Sequence, residues 1–267
     1  MTLGKLVIVL MQATPKEPMV RSIFQALLDA FGPQNWWPAR TPFEVVVGSI
    51  LVQNTAWTNA KLALDRLRAA RCLDVKTVRL IRLRNLEELI RPAGFFRQKA
   101  QTLKAVIAFL DRNYSGSMLK MANQDKMVLR TQLLGIRGIG PETADSILLY
   151  AAQHPVFVVD AYARRVLSRH GLIAEKSSYE EIQSLFSSAL TEYPIEISGP
   201  PTHISDKHPP SAMSRRAKSQ HAQALNEMHG LLVAVGKRFC RKLAPDCENC
   251  PLLPLLPRSN DAGIPGI

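Results

Sequence analysis

The chain has 267 residues, a formal net charge of +12 and 46% apolar residues, enough for a core in one large or two small domains. The excess of Lys and Arg favours polyanionic partners, and the scarcity of aromatic and alternating β-branched residues indicates helices rather than sheets. We expect no membrane-spanning segment, and the grouping of three of the four cysteines near the C-terminus indicates a reducing, cytoplasmic setting rather than a disulfide framework.

The first part of the chain has the periodicity of amphipathic helices. The predicted helices cover residues 18–32, 42–52, 55–70, 85–90 and 98–110. Thr41 is the expected N-cap of the second helix, with Glu44 as the capping-box acid. The third helix is expected to bury one face that carries Leu62, Leu64, Leu67 and Ala70.

Residues 133–145 predict a tight hairpin between two helices. Gly135 is expected to end the first helix, and Pro141 suits the first turn of the second. Between them, Gly138 and Gly140 can adopt positive φ, and their N–H groups, with those of the second helix, would bind one phosphate. An ordinary glycine turn would use the same residues. The basic charge of the chain favours the phosphate-binding interpretation.

The second part of the chain predicts helices over 161–170, 178–191 and 219–238. Residues 194–218, with several prolines and little apolar content, are predicted to be a flexible insertion. The chain then has three cysteines in the spacing Cys240-x6-Cys247-x2-Cys250.

These motifs, taken together and in this order, resemble the endonuclease III branch of the helix-hairpin-helix DNA glycosylases. The resemblance covers about residues 20–250 and rests on Gln53-Asn54-Thr55, the hairpin, Asp160 and the cysteines. It implies an all-α fold with a central lobe at 41–150, a second lobe formed by 18–40 plus 151–250, and double-stranded DNA in the cleft between them. We expect a monomer in the cytoplasm, associated with the nucleoid if the source is bacterial.

Asp160 is the residue that the resemblance implies to be catalytic. An aspartate at a helix start is commonly a simple N-cap, and both roles are compatible because a cap fixes the side chain. A fixed carboxylate would stabilise the positive charge that develops on the sugar as the base–sugar bond breaks, after the base has been swung out of the helix.

Position 142 departs from the pattern of the bifunctional members. These members have a lysine there, which attacks the sugar and permits strand cleavage, whereas this chain has Glu142. A carboxylate cannot form a Schiff base, so we predict a monofunctional glycosylase with weak or absent lyase activity. A bifunctional enzyme for oxidised pyrimidines that uses another amine, and a catalytically silent DNA-binding protein, are the alternatives.

Three further residues resemble the base-binding residues of the 3-methyladenine glycosylase subgroup. Trp57 and Trp36 would stack on an extruded alkylated base, and Gln53 would fill the gap that the base leaves in the duplex. Aromatic residues also fill core space, and this is the expected role of Trp37. Arg137 and Lys99 are expected to contact phosphates, whereas Arg164, Arg165 and Arg169 would also fit a solvated helix face.

The cysteines match three of the four ligands of the family's [4Fe–4S] motif. Cys240, Cys247 and Cys250 stand in place, but Leu256 occupies the fourth position. A cluster with a different fourth ligand, a zinc site and a decayed motif held by packing all remain open, and we expect the family-type cluster first.

Overall fold

A computed structural model describes residues 16–195 and 210–257, and within these ranges the chain forms helices and no strands. The α-helices are α1 (Lys16–Phe31), α2 (Pro42–Leu51), α3 (Trp57–Ala69), α4 (Val75–Leu80), α5 (Leu83–Ile90), α6 (Phe96–Tyr114), α7 (Met118–Ala122), α8 (Lys126–Leu134), α9 (Pro141–Ser146), α10 (Ala161–Arg169), α11 (Tyr179–Ala189) and α12 (Gln220–Arg238). A π-helical turn, Ile147–Ala151, continues α9. The predicted all-α fold is confirmed.

The helices pack around one continuous apolar core. Helix α2 packs on α3, α6 and α9, while α1 packs on α11 and α12, and α10 packs on α12. The π-helical turn contacts both α2 and α12 and so joins the two groups. The lobe boundaries at residues 41 and 150 stay a prediction. Over the described residues, no helix combines the length and the apolarity that crossing a bilayer requires.

The start of α2 shows how local sequence positions an element. Thr41 Oγ1 accepts a hydrogen bond from the Glu44 N–H at 3.1 Å, as predicted for a cap. The Glu44 carboxylate reaches one residue further back than in a capping box and accepts from the Arg40 N–H at 2.9 Å. Glu44 also forms an ion pair with Arg68 of α3, which ties the first turn of α2 to its neighbour.

The predicted buried face of α3 is confirmed for Leu64 and Leu67 and is wrong for Leu62 and Ala70. Leu62 is 48% exposed and Ala70 lies at the exposed end, because the helix begins at Trp57 and buries Ala60, Ala63, Leu64 and Leu67. The observed set follows the i, i+3, i+4, i+7 spacing of one helical face, which the small alanines complete.

The predicted flexible insertion is only partly within the described residues. Residues 196–209 lie outside them. For 210–218 the prediction is wrong, because Met213 is buried, its N–H donates to the Ala39 carbonyl oxygen at 3.2 Å, and Ser211 Oγ donates to the Trp37 carbonyl oxygen at 2.9 Å. This turn therefore packs against the segment that carries the paired tryptophans.

Candidate active site

The hairpin between α8 and α9 has one position that only glycine can occupy without strain. Gly138 has φ +92°, and a Cβ added there would lie 2.2 Å from Thr102 Oγ1 of α6. Gly140 has φ −98°, so the expectation of positive φ at this position is wrong. A Cβ at Gly140 would meet no atom within 4 Å, so the surface outside this glycine is open to a ligand.

A groove of about 490 Å³ runs beside the hairpin. Arg137 and Gly138 line it from the hairpin and are exposed, and Phe95 lines it from the N-cap of α6. Phe95 is 64% exposed and has φ +44°, an uncommon combination for a bulky side chain. Sequence reasoning did not select Phe95, although the Gly94-Phe95-Phe96 run places apolar side chains directly after a glycine.

Gln53 links the end of α2 to the hairpin. Its Nε2 donates to the Gly138 carbonyl oxygen at 3.0 Å and to Thr143 Oγ1 of α9 at 2.8 Å. The side chain is therefore engaged with the hairpin, and not solvated as an isolated polar residue would be. Gln53 also lines the groove, and its contact with DNA stays a prediction.

The prediction that Lys99 contacts a phosphate requires correction. Its side chain is buried, and Nζ donates to the carbonyl oxygens of Leu51 at 2.9 Å, Gln53 at 2.8 Å and Ala93 at 2.8 Å. These three bonds use all the donors of the ammonium group. Burial lowers the pKa of Lys99 to about 8, so the group is still protonated at neutral pH. Lys99 thus donates hydrogen bonds to two carbonyl oxygens at the C-terminal end of α2 and to a third, that of Ala93, before α6.

Asp160 lies at the N-terminus of α10 and acts as its cap. Oδ1 accepts a hydrogen bond from the Ala163 N–H at 2.7 Å. The segment before it is fixed by the buried run 156–159 and by the Val159 N–H, which donates to the Tyr179 hydroxyl at 3.3 Å. The Asp160 side chain is 13% exposed, and Oδ2 lies 3.4 Å from His229 Nε2. The carboxylate is therefore fixed by the cap bond at Oδ1 and faces a buried histidine at Oδ2.

Two buried polar residues extend inward from Asp160. His229 of α12 lies between the carboxylate and Tyr150, whose hydroxyl is 2.5 Å from His229 Nδ1. Tyr150 belongs to the π-helical turn, a local widening of the helix that is often found at functional sites. Burial raises the pKa of Tyr150, and the charges of Asp160 and Glu227 raise it further.

The same chain of contacts continues into a cluster of three tryptophans. The ring centroid of Tyr150 is 5.2 Å from that of Trp37, which is 5.5 Å from Trp57, and Trp57 is 5.7 Å from Trp36. Trp36 and Trp37 are buried, whereas Trp57 is half-buried at the start of α3. Of the two tryptophans predicted to stack on a base, Trp57 is the more accessible.

Glu142 lies in the first turn of α9 close to the carboxylate of Asp160. Partial desolvation of its carboxyl group and the charge of Asp160 raise the pKa of Glu142, while His229 acts in the opposite direction. The residue still has an exposed outer side. The position that carries a lysine in the bifunctional members is therefore next to Asp160 in this fold. In this chain that position holds a second acid, Glu142.

Helix α12 organises this region through residues that sequence reasoning missed. Besides His229, Glu227 is buried and accepts from the Gln34 N–H at 2.7 Å, in the loop before Trp36. A Cβ at Gly230 would lie 3.0 Å from Gln34 Cβ, so the loop passes close to the helix. A buried acid, a histidine and a glycine within four residues of one helix were the available sequence signal.

The half-buried arginines of α10 are bonded to neighbouring loops. Arg164 donates to the Ser177 carbonyl oxygen at 2.9 Å, and Arg165 donates to the Cys240 carbonyl oxygen at 2.6 Å. Arg169 donates to Cys240 Sγ at 3.2 Å and to the Arg241 carbonyl oxygen at 2.8 Å. These side chains fix α10 to the surrounding loops, so the interpretation as a solvated helix face is wrong, and a phosphate contact stays a prediction.

The C-terminal cysteine loop does not fit a cluster held by four thiolates. Cys240, Cys247 and Cys250 line a gap of only about 20 Å³, roughly the room for one water molecule. Leu256 lines the same gap, so no fourth thiol completes the set. In the described part of the chain, no three His, Cys, Asp or Glu side chains converge as metal ligands would. No catalytic step below depends on this loop.

An all-α fold with a glycine hairpin beside an open groove, and a capped aspartate connected through His229 and Tyr150 to an aromatic cluster, is typical of a helix-hairpin-helix DNA-binding protein with an enzyme-like site. The HhH-GPD superfamily of base excision DNA repair proteins matches residues 47–192, and the chain belongs to this superfamily. It is therefore a DNA repair glycosylase, and the predicted family is confirmed.

Several known proteins are similar to this chain over most of its length. A protein of Methanocaldococcus jannaschii described as a DNA repair glycosylase is 43% identical over 239 residues, covering 89% of this chain and 95% of its own. Endonuclease III of Sulfolobus acidocaldarius is 26% identical over 215 residues, or 79% of each chain.

Solved structures show the same fold. The 3-methyladenine DNA glycosylase of H. pylori, bound to 1,N6-ethenoadenine, matches with a TM-score of 0.64 and 26% identity, over 86% of this chain and 100% of its own. A non-covalent complex of endonuclease III with DNA matches with a TM-score of 0.66 and 20% identity, over 91% and 96% of the two chains, and this match concerns the fold alone.

Proposed function

We propose that this protein is a monofunctional DNA N-glycosylase that hydrolyses the bond between a damaged base and its sugar in duplex DNA, with Asp160 as the catalytic carboxylate. The observation that carries the proposal is the position of Asp160, where Oδ1 accepts from the Ala163 N–H and Oδ2 lies 3.4 Å from His229 Nε2. His229 contacts Tyr150, which packs against Trp37, and this series of contacts connects the carboxylate to the tryptophan cluster.

The chemistry requires a fixed negative charge beside the sugar. As the base leaves with the bonding electron pair, positive charge develops on the sugar, and the ionised carboxylate stabilises it. Water then adds to C1′ and loses a proton, which the carboxylate can accept. A base that carries positive charge in the nucleotide leaves as the neutral base and needs no proton, whereas a neutral base must gain one. A carboxylate held at a helix N-terminus is already oriented, so little reorganisation is needed during the reaction.

DNA would be held through the hairpin and the groove. The open surface at Gly140, the N–H groups of α9 and the exposed Arg137 favour a phosphate there. Phe95, apolar and exposed at the groove, is positioned to pack against a base step opened by bending of the duplex. The net charge of +12 supports this mode of binding, which we expect for a monomer on duplex DNA in the predicted cytoplasmic or nucleoid setting.

Alkylated purines are the substrate class that the aromatic cluster favours. They carry positive charge, and an indole face attracts a cation by about 0.5–2 kcal/mol. Trp57 is half-buried, so one part of its ring remains available, and Glu142 and Asp160 add negative charge nearby. The H. pylori relative named for 3-methyladenine supports this choice.

A panel of damaged duplexes tests the proposed substrate. We expect base release to be fastest from duplexes with 3-methyladenine or 7-methylguanine, and much slower from duplexes with oxidised pyrimidines or mismatched bases. Chromatography of the released bases under single-turnover conditions measures this. Fastest release of an oxidised pyrimidine would contradict the alkylated-base assignment, and no release from any duplex would contradict the glycosylase assignment itself.

Borohydride trapping tests the monofunctional assignment. A Schiff base between a protein amine and C1′ of an abasic sugar is reduced to a stable adduct, and Glu142 supplies no amine. Lys99 has a lowered pKa and lines the groove, but all its donors are bonded to carbonyls. We therefore expect no adduct with the wild-type protein in a denaturing gel.

Glu142→Lys is the matched comparison for this experiment. It places an amine at the position that carries the lysine in bifunctional members, and we expect it to form an adduct with abasic DNA. Efficient trapping of the wild-type protein, at a level equal to that of Glu142→Lys, would instead support the bifunctional alternative.

A further inference from the structure

His229 is a buried histidine with both ring nitrogens directed at polar groups. Nδ1 lies 2.5 Å from the Tyr150 hydroxyl, and Nε2 lies 3.4 Å from Asp160 Oδ2. The residue is 5% exposed, and within the described chain Nε2 makes no hydrogen bond, although a carboxylate oxygen of Asp160 lies 3.4 Å away. A buried polar nitrogen without a hydrogen bond is costly, so its approach to this carboxylate requires an explanation.

Tyr150 determines which nitrogen of His229 carries the proton. Burial raises the pKa of Tyr150, so the phenol stays protonated at neutral pH and has a hydrogen to donate. The direction of the bond between the Tyr150 hydroxyl and His229 Nδ1 depends on the tautomer of the ring. With the hydrogen on Nδ1, the lone pair of Nε2 would face a carboxylate oxygen of Asp160, which is unfavourable. With the hydrogen on Nε2, the phenol donates to Nδ1 and the Nε2–H faces Asp160, so both contacts are favourable.

We propose that His229, with its tautomer set by Tyr150, is a positioning residue that orients the Asp160 carboxylate. Oδ1 accepts from the Ala163 N–H, and Oδ2 lies 3.4 Å from His229 Nε2. A small movement that brings the Nε2–H onto Oδ2 during the reaction would give the carboxylate a second donor and fix its plane. This inference rests on the proposed function, because it assigns His229 a role in the same hydrolysis.

Other charged groups near the histidine come from three elements. Glu142 approaches from α9, Asp160 from the start of α10, and Glu227 lies on α12 itself and acts on Tyr150. Phe157 and Tyr150 pack against the ring of His229 and exclude water. An Nε2–H bond to the carboxylate would therefore form in a site of low polarity, where a hydrogen bond to a charge is stronger than in water.

The first test measures the tautomer directly and needs no activity. Two-bond nitrogen–proton spectra of protein with ¹⁵N-labelled histidine distinguish protonation at Nδ1 from protonation at Nε2. Because the chain has six histidines, the His229→Gln variant identifies the signal of His229. We expect Nε2–H in the wild-type protein and a mixture of tautomers in Tyr150→Phe, which lacks the donor.

The second test measures rate and binding separately. The substrate is the duplex whose base the wild-type protein releases fastest, and affinity is measured on a duplex with a tetrahydrofuran abasic analogue. His229→Leu should lower the single-turnover rate by about 10- to 100-fold, the effect of one hydrogen bond to an ionised group, with affinity nearly unchanged. His229→Gln, which can still donate, should recover part of the rate. His221→Gln, on the same helix and away from Asp160, is the control.

Rescue by His229→Gln gives a readout that a merely structural role would not change. The glutamine amide can still donate to the carboxylate, whereas the leucine side chain cannot, so a difference in rate at equal affinity reports the donor itself. An Nδ1–H tautomer in the wild-type protein, or an unchanged rate in His229→Leu, would overturn the inference. If the wild-type protein releases no base, the proposed function fails, and the tautomer spectra still decide how His229 is arranged.

Discussion

Asp160→Asn should lower the rate of base release by about 10³-fold while the protein stays folded. The magnitude is that of removing a preorganised charge, or a proton acceptor, from the transition state. Asparagine still accepts the Ala163 N–H as an N-cap about as well as aspartate does, so stability is preserved. Single-turnover base release and thermal unfolding, measured on the same preparation, test both parts.

Asp160→Ala separates the two roles of the side chain. It removes the charge and the cap together, so the same loss of rate should come with a loss of about 1 kcal/mol in the free energy of unfolding. If Asp160→Asn released the base as fast as the wild-type protein, Asp160 would be only a cap. The protein would then fit the catalytically silent alternative, because DNA binding alone does not require the Asp160 carboxylate.

Elements that depend on short-range signals were predictable from the sequence. Thr41 was expected to cap α2 and does so, because the cap and the N–H group that donates to it lie three residues apart. Gly138 was expected to adopt positive φ and does so, because the turn is set by its immediate neighbours. Asp160 was identified from its place in a family motif, and its cap geometry follows from the local sequence.

Residues whose environment depends on distant parts of the chain were not predictable in the same way. Lys99 resembles a phosphate ligand in the sequence, yet its partners are carbonyls at Leu51, Gln53 and Ala93, two of them more than 40 residues away. Sequence periodicity shows that a lysine interrupts an apolar face, but not which carbonyls are left free beneath it.

The contribution of α12 could not be derived from its sequence. His229 and Tyr150 are 79 residues apart, and Gln34 and Glu227 are 193 residues apart. Their contacts exist because α12 crosses both the π-helical turn and α10. The order of Gln53-Asn54-Thr55, the hairpin, Asp160 and the cysteines indicated the family. The role of α12, which brings His229 to Asp160, is revealed only by packing.

Gly138→Ala is expected to weaken both folding and DNA binding. A residue with a Cβ is strained at φ +92°, and the added atom would lie 2.2 Å from Thr102 Oγ1. Backbone strain of about 1–2 kcal/mol and crowding of about 1–3 kcal/mol together give a loss of roughly 2–5 kcal/mol in the free energy of unfolding. Because the hairpin must shift, affinity for duplex DNA should fall by about tenfold, the effect of one displaced phosphate contact at moderate salt. Chemical denaturation and salt titrations of binding measure the two effects.

Gly140→Ala and Thr102→Ala provide the controls for this prediction. Gly140 has φ −98° and open space around its missing Cβ, so Gly140→Ala should leave the free energy of unfolding nearly unchanged. In the double variant Gly138→Ala, Thr102→Ala, the collision is relieved while the backbone strain remains, and part of the stability should return. Equal stability of the Gly138→Ala and Gly140→Ala proteins would show that the hairpin tolerates a side chain at position 138. The positive φ of Gly138 would then not be what forms the phosphate site.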